Sequence, residues 1–80
     1  MTAKDQQLVE RVIEALTQAL NVQNGDLNAE TQFGDLPQWD SMGHMEVMVA
    51  LEKDFGVEIN ADTITELVSI PAICAYIEEM

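Results

Sequence analysis

The chain has 80 residues, and its 15 Asp and Glu against 3 Lys and Arg leave a formal net charge of −12. That balance argues against nucleic acid, whose binding needs Lys and Arg to displace counterions, and against anionic membrane for the same reason. A hydrophobic share of 48 % suits one small packed domain rather than a disordered chain. A domain of this size buries only about 60 % of its unfolded surface, so its stability margin is thin.

Leu8, Val9, Val12, Ile13, Leu16 and Leu20 recur at helical spacing and predict a first helix from about Thr2 to Leu20. Residues 21–39 have no sustained period and contain Gly25, Gly34 and Pro37, which reads as a long loop. A loop of that length inside a compact domain is expected to be anchored or functional, with Leu27, Phe33 and Leu36 as its anchors. A second helix is expected from Ser41 to Phe55, closed by Gly56 in a left-handed cap. Thr63 and Glu66 have capping-box spacing, which allows a short third helix through Leu67 or Val68. Pro71 suits the first turn of a last helix capped by Ser69, with Ile73, Tyr76 and Ile77 turned inward. The expected fold is all-α: a small four-helix bundle with a long loop between helices 1 and 2 and a short third helix, forming a single domain over 1–80.

Cys74 is the one cysteine, so an intramolecular disulfide and a structural zinc site are excluded, and a buried packing role is expected for it. The N-terminus has no apolar signal core and no stretch is long enough to span a membrane, so a cytoplasmic protein is the expectation.

The second helix carries two apolar stripes. Val47, Met48, Leu51 and Phe55 fall within an arc of about 100° and are expected to face the core. Met42, Met45 and Val49 cluster on nearly the opposite side, bordered by Glu46 and Glu52. Adaptable methionines ringed by carboxylates suit a docking surface for basic partners. Periodicity alone leaves open the alternative that Met42 and Met45 are buried on a second flank of the bundle.

Ser41 follows Asp40 at the start of this helix. Unpaired backbone N–H groups and the positive end of the helix dipole favour a phosphodiester at such a place. Catalysis by Ser41 itself is disfavoured. The hydrolase elbow needs glycine on both sides, and Trp39 occupies the first of those positions. His44, the one histidine, lies three residues on and is expected to be exposed near the helix start. None of Gly25, Gly34, Gly43 or Gly56 stands in the acidic ligand pattern of an EF-hand, which excludes calcium sensing of that kind.

Asp40-Ser41-Met42, the run from Ala50-Leu51-Glu52 through Phe55-Gly56-Val57-Glu58-Ile59, and the closing Ile73…Tyr76-Ile77 helix together resemble the acyl carrier protein family. The resemblance implies that Ser41, with Asp40 as its motif neighbour, bears covalent 4′-phosphopantetheine derived from coenzyme A, and that the chain is a carrier rather than an enzyme. It implies a partner surface of Met42, Met45, Glu46, Val49, Glu52 and Asp54. The implied partners are a phosphopantetheinyl transferase and acyl-loading, condensing or tailoring enzymes with basic docking surfaces. A monomer and a free-standing carrier served by separate enzymes are expected.

Three positions depart from the familiar pattern. Trp39 precedes the Asp-Ser pair, Gly43 replaces a common acidic residue, and Lys53 stands where many members have a carboxylate. The departures point to a specialised polyketide- or fatty-acid-like pathway. The alternatives are an aminoacyl or peptidyl carrier, or an unmodified acidic module for protein interaction. An acyl chain is expected to be sheltered by opening a cleft between the second and third helices, lined by Met45, Val49, Leu51, Phe55, Ile59, Leu67 and Ile73, which are apolar and mobile enough to part.

Overall fold

The computed structural model describes residues 3–80, and the side chains of residues 6–23 and 25–80. Four α-helices follow in order among the described residues: α1 (Ala3–Leu20), α2 (Ser41–Phe55), α3 (Ala61–Glu66) and α4 (Ile70–Glu79). This is the expected small all-helical bundle. The expected start of the first helix at Thr2 lies outside the described residues.

The apolar period of α1 buries Val12, Leu16 and Leu20. Asn21 then turns the chain with φ 57°, a left-handed conformation that Asn adopts more readily than most residues. The α2 boundaries are those the sequence predicts. Gly56 stands at φ 75° and its N–H donates to the Glu52 carbonyl at 3.0 Å. That left-handed cap is cheap only for a residue without Cβ.

Two helix starts lie a little off expectation or confirm it by mechanism. The cap of α3 is Asn60, with Thr63 as the third helical residue: Thr63 N–H donates to Asn60 Oδ1 at 2.9 Å and Asn60 N–H to Thr63 Oγ1 at 3.0 Å. The capping box is therefore Asn60–Thr63 rather than Thr63–Glu66, and the helix begins about one turn earlier. Its reciprocal partner is a hydroxyl where the usual pattern has a carboxyl, which the spacing rule does not anticipate. Ser69 caps α4 as expected, accepting from Ala72 N–H at 3.1 Å, with Pro71 in the first turn.

α1 packs on α2 and α4, and α3 leans on α2. The core joins Val12, Leu16, Val47, Met48, Leu51, Val57, Leu67, Ile70 and Ile73, none more than 1 % exposed. The 21–39 segment is a tied strap with a single 3₁₀ turn at Asn24–Asp26. Leu27 inserts into the core and Leu36 packs against it. The strap also pairs with the α3–α4 connection, through Phe33 N–H to the Val68 carbonyl (2.7 Å) and Ile70 N–H to the Thr31 carbonyl (2.9 Å). No helix among the described residues is long and apolar enough to cross a membrane.

Candidate functional site

The strap delivers Asp40 to the start of α2. Its carboxylate accepts the Gly43 N–H at 2.9 Å and its carbonyl accepts the His44 N–H at 2.7 Å, so Asp40 closes the first turn from outside. Ser41 is the first residue inside the helix and is exposed. The other serine in the chain, Ser69, is half-buried and engaged in capping α4. Ser41 is thus the more exposed of the two serines.

Gly43 explains how the strap comes so close. A Cβ at this position would collide with the carbonyl oxygen of Gln38 and press on Leu20 Cδ2. The turn ahead of Ser41 therefore lies directly on the first turn of α2. An acidic side chain at 43 would push it off.

Trp39 is fully buried, although it sits at the end of the loop. Its indole Nε1 donates to His44 Nδ1 at 3.0 Å, and the two rings stack with centroids 6.2 Å apart. His44 Nε2 reaches the Ile64 carbonyl of α3 at 2.8 Å, and Phe33 meets the imidazole edge-on at 5.6 Å. The expectation of an exposed His44 is corrected: it is 5 % exposed. The signal was present in the sequence. His44 lies three, four and seven residues before Val47, Met48 and Leu51, on the core stripe of α2. A buried indole N–H also needs an acceptor nearby.

Phe33 packs its ring on His44 of α2. It is 40 % exposed and its other side forms one wall of an open groove. That groove, about 550 Å³, is lined by Phe33, His44, Met45, Ile64, Thr65 and Val68, with Ser41 at its rim. Pockets of several hundred Å³ with apolar walls are the usual size for a small-molecule group. Of the side chains expected to line a cleft, Met45 borders this groove. Leu51, Leu67 and Ile73 are closed in the core, so a cleft along them would have to open. Ile59 packs against the core, and Phe55 lines a separate hollow beside α1, where Arg11 lies 5.0 Å from its ring centroid. The groove's other apolar walls, Phe33 of the strap, Ile64 of α3 and Val68 just after it, come from segments whose approach to α2 no periodicity reveals.

The outer face of α2 is where the pattern places it. Met42 is 81 % exposed, Met45 44 % and Val49 49 %, so the alternative of a second buried flank does not hold. Glu46, Glu52 and Lys53 are exposed beside them. Asp54 lies apart from this face, lining the hollow that holds Arg11, Glu14 and Phe55. Helical geometry turns it about 120° from Met42.

Cys74 is buried in the core. Burial, and then the neighbouring Glu78 carboxylate, push its thiol above the ordinary value. The thiolate is disfavoured there, and Cys74 takes no part in the site.

A family profile described as "Phosphopantetheine attachment site" matches residues 10–77. Acyl carrier proteins of Rickettsia canadensis (strain McKiel), Rickettsia rickettsii (strain Iowa) and Rickettsia prowazekii (strain Madrid E) are each 27 % identical over 70 residues. The match covers 88 % of this chain and 81 % of each relative.

Proposed function

The chain belongs to the acyl carrier protein family, whose attachment site takes covalent 4′-phosphopantetheine, and from that premise we propose that Ser41 bears the group and that the protein carries acyl intermediates to biosynthetic enzymes. The observation that carries the reading is the position of Ser41: exposed, first in α2, and at the rim of the apolar groove. When bound, the group supplies a terminal thiol that holds cargo as a thioester. The protein's own part is to present, orient and shelter. Asp40 fixes the helix start so that Ser41 faces outward, and the N-terminal dipole of α2 favours the phosphodiester charge. Attachment is the work of the transferase, which brings the base and the magnesium.

An apolar groove favours an acyl over an aminoacyl cargo. Each methylene sheltered there gains about 0.8 kcal/mol, whereas a charged amine would lose hydration. Met42, Met45 and Val49 form the apolar centre of the docking face, and Glu46 and Glu52 its acidic rim. Partners are enzymes with basic docking surfaces, and Lys53, facing outward among the acids, redirects part of that contact. The Trp39 departure from the familiar pattern supports a specialised polyketide- or fatty-acid-like pathway. The test is whole-protein mass after co-expression with a broad phosphopantetheinyl transferase. The protein should gain one phosphopantetheine and Ser41→Ala should gain none. An unmodified wild-type protein would leave the acidic interaction module as the reading.

A further inference from the structure

The hydrogen bonds around His44 fix more than its burial. An indole N–H is a donor only, so Nδ1 of His44, 3.0 Å from Trp39 Nε1, must be the bare nitrogen. The proton then sits on Nε2, 2.8 Å from the Ile64 carbonyl, which can only accept. Both contacts are satisfied by one form of the ring, the neutral Nε2–H tautomer.

Ile64 belongs to the last turn of α3, where backbone carbonyls have no partner inside the helix. The neighbouring Thr63 carbonyl is taken by Leu67 N–H at 2.9 Å. His44, reaching across from α2, takes that of Ile64. It is therefore a C-terminal cap supplied by another helix. A helix of two turns depends on such ends more than a long one does. Because His44 stands one turn after Ser41, the same bond sets how far α3 lies from the modified end of α2. It also fixes the wall of the groove that Ile64 and Val68 form.

We propose that His44 is a positioning residue for the Ser41 site: held by Trp39 as the Nε2–H tautomer, it caps α3 and sets the width of the groove beside Ser41. The consequence for loading rests on the reading of Ser41 as the modified residue, whereas the tautomer and the cap stand without it.

Two substitutions separate the two halves of the ring. In His44→Gln the side-chain amide nitrogen lies near the level of Nε2 and can still donate to Ile64. In His44→Asn the amide oxygen lies near the level of Nδ1 and can still accept from Trp39, but nothing reaches α3. The first measurement needs no variant: the imidazole nitrogen spectrum of the wild-type protein at neutral pH should show the Nε2–H tautomer alone. Trp39→Phe should release it to a mixture. The second is amide exchange at Leu67. His44→Gln should stay close to wild type, and His44→Asn should exchange roughly tenfold faster, the loss expected for one buried hydrogen bond. The third is the rate at which a transferase loads Ser41, which should follow the same order. An Nδ1–H or mixed tautomer in the wild-type protein overturns the proposal. So does equal exchange in the Gln and Asn variants, whether both are intact or both impaired. If wild-type Ser41 is never loaded, the proposed function fails, and the tautomer and exchange results still decide the cap.

Discussion

Gly43→Ala sets two effects of opposite sign against each other. Alanine is the better helix former, and the exchange should gain at most about 1 kcal/mol from propensity in the first turn of α2. The new methyl, however, would occupy the position of the Gln38 carbonyl oxygen, with Leu20 Cδ2 3.0 Å away. Leu20 can rotate, but the carbonyl cannot. It belongs to a turn closed by Trp39 N–H on the Leu36 carbonyl at 3.1 Å and pinned by the fully buried indole. Overpacking typically costs about 1–3 kcal/mol, and an immovable obstacle puts this case near 3. The net loss is about 2 kcal/mol, which lowers Tm by roughly 8–16 °C in a domain of this size. Thermal unfolding followed by circular dichroism measures it, with Trp39 fluorescence reporting whether the indole leaves its seat. A Tm equal to or above wild type would refute the reasoning, since it would mean that the strap does not need Gly43 to lie on α2.

Charge reversal at Glu46 or Glu52 should slow association with a basic partner enzyme while changing stability by only ~0–1 kcal/mol. The difference should shrink at high salt, where exposed charges are screened beyond about 8–10 Å. Cys74 should react slowly with iodoacetamide at pH 8. Because burial and Glu78 raise its thiol above the ordinary value in the folded protein, unfolding should become easier as pH climbs through the unfolded thiol's value toward the folded one, and Cys74→Ala should remove that decline. Octanoyl cargo on the holo protein should shift the resonances of Phe33, Met45, Ile64 and Val68, and a short polar cargo should not. Identical spectra for the two would count against sheltering in the groove.

The helices were legible because local rules suffice for them. The 3.6-residue period of α1, Gly56 after Phe55, and Ser69 with Pro71 each act within a few residues. The exposed Met42, Met45 and Val49 were legible for the same reason, as the side of α2 opposite its core stripe. What was not legible depends on contacts distant in sequence. Phe33 reads as a loop anchor, but that it also walls a groove follows only from the strap pairing with Val68. Leu51 and Leu67, read as walls of a cleft that opens, are closed in the core, and the groove already open beside Ser41 is built instead on Phe33, Ile64 and Val68. His44 lay between the two cases. Its core register was in the sequence, but its acceptor and donor partners, Trp39 and Ile64, become neighbours only when the strap and α3 close on α2.

The central claim is that Ser41 bears the phosphopantetheine, and peptide mapping tests it most directly. The folded protein would be incubated with coenzyme A, magnesium and a broad transferase, then digested and fragmented, with its two serines, Ser41 and Ser69, falling in separate peptides. The added group should be found wholly on the peptide containing Ser41, with the Ser69 peptide unchanged. Modification of the Ser69 peptide, or of any peptide in the Ser41→Ala protein, would contradict the account.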